Sequence, residues 1–488
     1  MAVIKLPAIY TFATVGMFSA VSNLGAGGTQ DVALSDESQG VLYGMFALAG
    51  LISGGINNLL GPKLTLFIGT LGYTLYVGAL WCLQTQGGTR WFLIFAGAML
   101  GITAALLWSA QGSIMMSYPL EKDKGKAFAI FWAIFQFGSF IGSVIALAIN
   151  IEKGGLDAVS TSTYIAFLII IFVGVASAFM ILPPNRIIRA DGTIVRLDTT
   201  TKVREELVEM FRLLKNWRMI ALFPMFFASN YLYAYQGSVN ATVFDGPTRA
   251  LNATLEGAGA ITGALFIGFC VLDNKYMSRR NRGYFGLAVV ASVVIVVWSV
   301  GLSWQVTFGR DYVAVHGKPI NYHDPNYKGK GALFFFYFFG DACYQALAYW
   351  IMSALSNDPF TLARFAGLYK AIQSAGAAGS YGMDAMLHPL LNEHLASWSM
   401  LLFSFPLAFL VIRSIKETNY EDEKVFYVDD IKKDEMEAAV SDSQEKASLM
   451  VIIMRISKAA GNPIEQPRRR ALFSHSVTEI FGSEQPKQ

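Results

Sequence analysis

The sequence predicts an all-α polytopic membrane protein, twelve transmembrane helices in two pseudo-symmetric six-helix bundles. Composition, the length of the apolar runs and the layout of charge carry that prediction. Of 488 residues, 54% are hydrophobic and 15% charged, with a mean hydropathy of +0.43. Soluble domains carry about 25% charged residues, so an ordinary cytosolic enzyme is excluded. A helix needs about 20 apolar residues to cross the hydrocarbon core, and half of this chain supplies on the order of a dozen such stretches. The runs are unbroken and rich in Gly and Ala, unlike the alternating segments of about ten residues that build an outer-membrane barrel.

The spans fall near 5–24, 39–60, 64–84, 91–115, 127–150, 162–182, 219–238, 255–273, 284–303, 332–353, 363–386 and 396–413. The run from Leu6 to Ala20 carries Tyr10, Thr11 and Thr14 and no clear cleavage site, so it reads as the first span rather than a signal peptide. An even number of spans puts both termini on one side. Cytoplasmic loops retain basic residues, and 18 Lys/Arg, eight of them between Arg186 and Arg218, lie on one side against seven on the other. Both termini are therefore expected to be cytoplasmic, in a plasma membrane or an endomembrane. Two glycosylation sequons, at Asn240 and Asn252, fall in a loop placed outside by this count. Asn240 is close enough to the membrane to serve instead as a polar helix end.

The domain organisation follows from the loops. Residues 1–182 form an N-terminal six-helix bundle, 183–218 a cytoplasmic connector with a polar helical stretch from Val203 to Leu214, and 219–415 a C-terminal bundle. Residues 416–488 hold 11 basic and 14 acidic residues with few aromatics, the composition of a mostly disordered cytoplasmic tail. Its apolar patch, Leu449 to Met454, is too short to span. Two bundles joined by a long connector are the layout of transporters with a central cavity.

Enzyme signatures are missing: there is no phosphate-binding Gly-Lys-Ser/Thr loop, no Gly-x-Ser-x-Gly, no His-Glu-x-x-His and no Cys-x-x-Cys. The chain is read as a non-enzyme with no cofactor or metal. The five histidines lie outside the expected spans, and His316 and His323 share a loop with Asp311 and Asp324 as solvated polar groups. Cys82, Cys270 and Cys343 each sit in an apolar run as packed thiols. A net charge of +3, spread among loops, gives no nucleic-acid partner.

Charge at membrane depth stands out, because it is costly and faces a cavity or a partner. Asp341 in the tenth span and Lys370 in the eleventh both fall near mid-membrane, where they form an ion pair that a substrate or coupling ion breaks, or a permanent brace. Each heads a polar stripe at helical spacing: Tyr344, Gln345 and Tyr349 with Asp341, Gln373 and Ser374 with Lys370. The other spans add Trp108 and Gln111, Trp132 and Gln136, and Asn230, Tyr233 and Gln236. Convergent amides, hydroxyls and aromatics line a cavity for a small, weakly charged solute or ion, or else hydrogen-bond neighbouring helices. Glycines four residues apart, Gly50/Gly54, Gly97/Gly101, Gly138/Gly142 and Gly259/Gly263, are close-packing signals.

Several strings together resemble the uncoordinated-ninety-three-like family, a branch of the major facilitator superfamily, and fungal members in particular. They include the run from Asn23 to Gly28, Gly61-Pro62-Lys63, the run from Ala104 to Gly112, Ser229-Asn230, Asp341-Ala342, the run from Ala354 to Asp358 and the run from Tyr369 to Gly376. The resemblance covers essentially the whole membrane region and implies the twelve-helix major facilitator fold. The superfamily's acid and base between spans two and three are replaced by Asn58 and Leu59, which puts a standard gating salt bridge in doubt. Relatives carry a longer lead, so the resemblance also implies a truncated start. It implies two functions: secondary transport by alternating access, or a non-transporting chaperone or regulatory subunit of another membrane protein. The expected partners are the lipid bilayer, an unidentified small solute or ion, and, on the second reading, another membrane protein.

Overall fold

Each expected span overlies helix in the computed structural model, which describes residues 11, 13–23, 32–150, 161–177, 187, 189, 191–193, 195 and 202–421. The Asn23 to Gly28 string beyond Asn23, most of the connector before Lys202, and the expected tail beyond Glu421 lie outside the described residues. Before the connector come α1 (Val15–Asn23), α2 (Val32–Leu60), α3 (Pro62–Gln86), α4 (Arg90–Ser117), α5 (Lys124–Asn150) and α6 (Thr161–Ser177). The connector carries α7 (Val203–Leu213). After it come α8 (Trp217–Ala228), α9 (Leu232–Val243), α10 (Gly246–Phe266), α11 (Arg279–Gln305), a short α12 (Tyr312–His316), α13 (Lys328–Leu355), α14 (Pro359–Ala385) and α15 (Leu390–Arg413). The architecture is helical; an isolated β-bridge joins Phe244 and Ile320.

Local sequence sets several helix starts. Asp245 accepts the Thr248 N–H and Asp358 accepts the Thr361 N–H, each satisfying a donor that the first helical turn leaves unpaired. Pro62, Pro247 and Pro359 occupy first-turn positions where a missing N–H costs nothing. Gly61 adopts φ +77°, a backbone conformation open to glycine, and so turns α2 into α3.

Among the described residues, seven helices, α2, α3, α4, α5, α10, α11 and α15, are long and apolar enough to cross a bilayer. The other expected spans overlie the shorter helices α1 and α6, the polar-interrupted α13 and α14, and the pair α8 and α9. That pair corrects an expectation: 219–238 is two helices rather than one, with a turn at Ser229–Tyr231. Pro224 inside α8 lacks an N–H and crowds the preceding turn, which weakens the helix just before it stops. Large apolar side chains such as Ile169, Val173, Val296 and Phe403 are exposed, the surface a lipid-facing helix presents.

Helices before the connector pack on one another, α2 and α3 on α4 and α1 on α5, and those after it do the same, α10 on α13 and α8 and α11 on α15. The two sets meet where α14 crosses α2 and α4 and where α5 crosses α10. Each glycine pair marked in the sequence lies at a crossing: Gly50 and Gly54 against α14, Gly97 and Gly101 against α2, Gly138 and Gly142 against α1, Gly259 and Gly263 against α13. A Cβ on Gly54 would come within 2.5 Å of the Ala363 carbonyl oxygen, so the α2–α14 approach depends on its absence.

Three smaller expectations change. His394 lies inside α15, fully buried, its Nε2 3.2 Å from the Trp298 carbonyl. Cys343 is a buried free thiol, but Cys270 is exposed. The described start of the tail is docked rather than loose: Glu417 accepts the Arg279 N–H at 2.7 Å and Asn419 donates to the Ala354 carbonyl.

Candidate functional site

A cavity of about 190 Å³ lies between the two helix sets, lined from both. Of the residues marked in the sequence, Trp108, Trp132, Gln136, Asn230, Tyr233, Gln236, Gln345, Lys370 and Gln373 line it. Asp341, Gln111, Tyr344, Tyr349 and Ser374 do not. Gln111 is buried with both amide atoms unpartnered, Ser374 is buried in α14, and the Tyr344 hydroxyl bonds the Met225 carbonyl and Ser404 inside the second helix set.

Asp341 and Lys370 make no direct ion pair, which revises the simplest reading of the sequence. Two glutamine amides bridge them. Gln345 Nε2 donates to both Asp341 oxygens at 3.1 and 3.0 Å, Gln373 Nε2 donates to Gln345 Oε1 at 3.2 Å, and Lys370 Nζ donates to Gln373 Oε1 at 2.7 Å. Tyr233 donates to Asp341 Oδ2 at 2.9 Å. The Lys370 ammonium sits 4.2 Å from the centroid of the Trp108 ring, a cation–π contact that offsets part of its lost hydration. The helical spacing explains the bridge: Asp341/Gln345 and Lys370/Gln373 are neighbours one turn apart on α13 and α14.

The α8–α9 turn belongs to this network. Ser229 accepts from Gln373 Nε2 at 2.8 Å and from the Tyr369 hydroxyl at 3.3 Å. Interrupted helices at a cavity wall supply binding groups that a continuous helix withholds. Asn230, in the turn, lines the cavity with its Oδ1 buried and unpartnered.

Toward the ends carrying most of the basic loops, polar contacts join the two sets. Lys124 of α5 donates to the Ser353 carbonyl at 2.6 Å and to Asn357 Oδ1 at 2.8 Å. Asp273, just after the wider helical turn Ile267–Leu272 that continues α10, accepts the Gly125 and Lys126 N–H groups at the start of α5. Glu206 of α7, buried, accepts Arg364 Nε at 2.9 Å and Nη2 at 2.7 Å, and Asn58 Nδ2 at 3.0 Å. Asn58 also donates to the Phe360 carbonyl at 3.2 Å. The connector helix thus supplies the acid that the α2–α3 junction lacks, and it ties α2 to α14.

Sequence reading passed over Glu206 and Glu256. Glu206 sits in a charged connector stretch, beside Glu205 and three residues before Glu209, where a solvated acid is the usual reading. Glu256 opens an apolar run, but it is 5% exposed and lines the cavity together with Gln39 and Tyr43. Its position ten residues into α10, about 15 Å along the helix, was a readable signal.

The sequon asparagines are corrected by the same packing. Asn252 is fully buried and donates to Asn240 Oδ1 at 2.9 Å, while Tyr327 donates to Asn252 Oδ1 at 2.9 Å. Asn240 donates to the Arg249 carbonyl and is also buried. A glycan on either amide needs the solvent side that this packing removes. No group of three or more His, Cys, Asp or Glu suited to a metal ion occurs among the described residues.

A helical membrane protein with a polar cavity between two helix sets is the class this geometry defines, and solved structures agree on the fold. An outward-conformation major facilitator superfamily transporter, FucP, superposes with a TM-score of 0.57 at 10% identity, over 84% of this chain and 98% of that one. The chain belongs to the UNC-93 family: residues 36–382 match the family model described as "Ion channel regulatory protein UNC-93". An UNC93-like protein of Schizosaccharomyces pombe is 37% identical over 418 residues, 84% of this chain and 82% of the relative. UNC93-like protein 1 of Arabidopsis thaliana is 34% identical over 426 residues, 87% and 92% of the two chains.

Proposed function

We propose that the protein is a secondary transporter that carries a small solute by alternating access, with both termini cytoplasmic. One observation supports this above others: Gln136, Asn230, Gln345 and Gln373, contributed by helices on both sides of the connector, line one cavity. A ligand site needs such convergence; a chaperone or regulatory subunit needs an outward recognition surface and places no demand on these four. The Glu206–Arg364–Asn58 contacts and the Lys124 contacts are the bonds that have to open when the cavity changes sides. The Asp341–Gln345–Gln373–Lys370 chain links two charges through amides, so a ligand amide or hydroxyl that replaces one glutamine contact separates or rejoins them.

The test compares metabolite accumulation in cells carrying the wild-type chain with cells carrying alanine at each of the four positions. A solute whose level follows the wild type and is lost in the variants, at unchanged expression and localisation, is the expected result. Wild-type accumulation in all four variants would turn the reading toward the helper role.

A further inference from the structure

Within the cavity, one group of polar side chains is left without protein partners. Glu256 is 5% exposed, and its carboxylate makes no hydrogen bond or ion pair. Gln236 is 3% exposed, and both of its amide atoms are buried and unbonded. Gln39 and Gln136, each buried, line the same cavity and likewise have no side-chain bond. Ionising a buried carboxyl that has no counter-charge is costly, and native interiors rarely tolerate an unpaired polar group without a functional reason. Lys370, the cation lining the cavity, is held by Gln373 and the Trp108 ring instead.

We infer that Glu256 receives the ammonium group of a small organic cation, with the amides of Gln39, Gln136 and Gln236 as hydrogen-bonding partners for the rest of the solute. The assignment rests on the cavity being a ligand site, as proposed above. Charge supports it: a buried carboxyl without a counter-charge takes up a proton, so an ammonium group is the partner that lets Glu256 carry its charge inside the cavity. The walls support it too. Tyr43 and Tyr381 stack with ring centroids 5.5 Å apart and both line the cavity, as do Trp132 and Phe338, and aromatic faces attract ammonium groups. A single carboxylate in a cavity of about 190 Å³ suits a monovalent organic cation better than a bare metal ion, which gathers several oxygen ligands at short range.

Binding to the purified full-length chain in lipid nanodiscs tests this, with choline and ethanolamine as ammonium probes. The uncharged carbon analogue of choline, sodium chloride and potassium chloride serve as comparators. Saturable binding of at least one ammonium probe, absent for the uncharged analogue, is expected. Glu256→Gln should weaken it about tenfold or more, and Glu256→Asp, which keeps the charge, should retain most of it. Gel filtration and thermal unfolding identify any variant that fails to fold. Silence of both ammonium probes, equal binding of the uncharged analogue, unchanged affinity in Glu256→Gln, or displacement of the probes by sodium or potassium at the same site would each overturn the assignment. The transport reading fails separately: a probe that binds through Glu256 but does not cross proteoliposomes removes transport and leaves the site. A flux that is indifferent to Glu256→Gln removes the site and leaves transport.

Discussion

The two poles of the interior differ in how their polar groups are satisfied. Asp341 and Lys370, thirteen residues into α13 and eleven into α14, and the amides of Gln345 and Gln373 between them are engaged by one another, by Ser229, Tyr233 and Tyr369, or by Trp108. Around Glu256 and Gln236, the polar groups face the cavity with nothing attached. Satisfied networks rigidify an interior, whereas unsatisfied buried groups store free energy that a ligand can release. The charge pair that draws the eye in the sequence is thus the braced part of the site. The quieter residues are the ones open to a solute.

The comparison can be broken first at the connector. Glu206→Gln leaves the guanidinium of Arg364, whose side chain is 12% exposed, without its counter-charge. Breaking a buried pair by removing one partner costs about 3–5 kcal/mol, and partial exposure places this one near the lower bound. Thermal unfolding in detergent should show a larger drop for this variant than for Asp341→Asn or Gln236→Ala. A midpoint equal to wild type would mean that α7 does not hold the two helix sets together.

Asp341→Asn should come next. It keeps the shape and one acceptor oxygen, so the bonds from Tyr233 and Gln345 lose their charge-assisted part, about 1 kcal/mol each, the gap between charged and neutral hydrogen bonds. With Lys370→Met it should give a non-additive cycle, because the bridging amides couple the two sites. Strictly additive losses would mean that the amide chain carries no coupling.

Gln236→Ala should be the mildest. Its amide makes no bond that the substitution can remove, so stability should change by less than about 1 kcal/mol, while solute binding falls. A large destabilisation with binding intact would place Gln236 among the structural groups and erase the contrast between the poles.

Much of this was legible in the sequence for a simple physical reason. Crossing a bilayer demands long apolar runs, and mid-membrane charge is rare enough to be conspicuous, so the helical class, most helix positions, the glycine crossings and nine of the lining residues could be read from local pattern. The α8–α9 break was partly legible in Pro224 and missed because the apolar run continues through it. The sequons illustrate the opposite limit. The Asn-x-Thr pattern is visible in sequence, but the burial of Asn252 under Tyr327 depends on a contact across 75 residues.

What the sequence determined by itself was therefore whatever depends on short-range pattern: helix, membrane class and the positions of costly charges. Only the tertiary structure decided which partner each charge meets. Glu206 reaches Arg364 across 158 residues, Asp341 reaches Lys370 through two amides rather than directly, and Glu256 meets no partner. A charge's side-chain type fixes how strongly it needs compensation, but helix packing fixes whether the compensating group comes from the protein or is left for a ligand to provide.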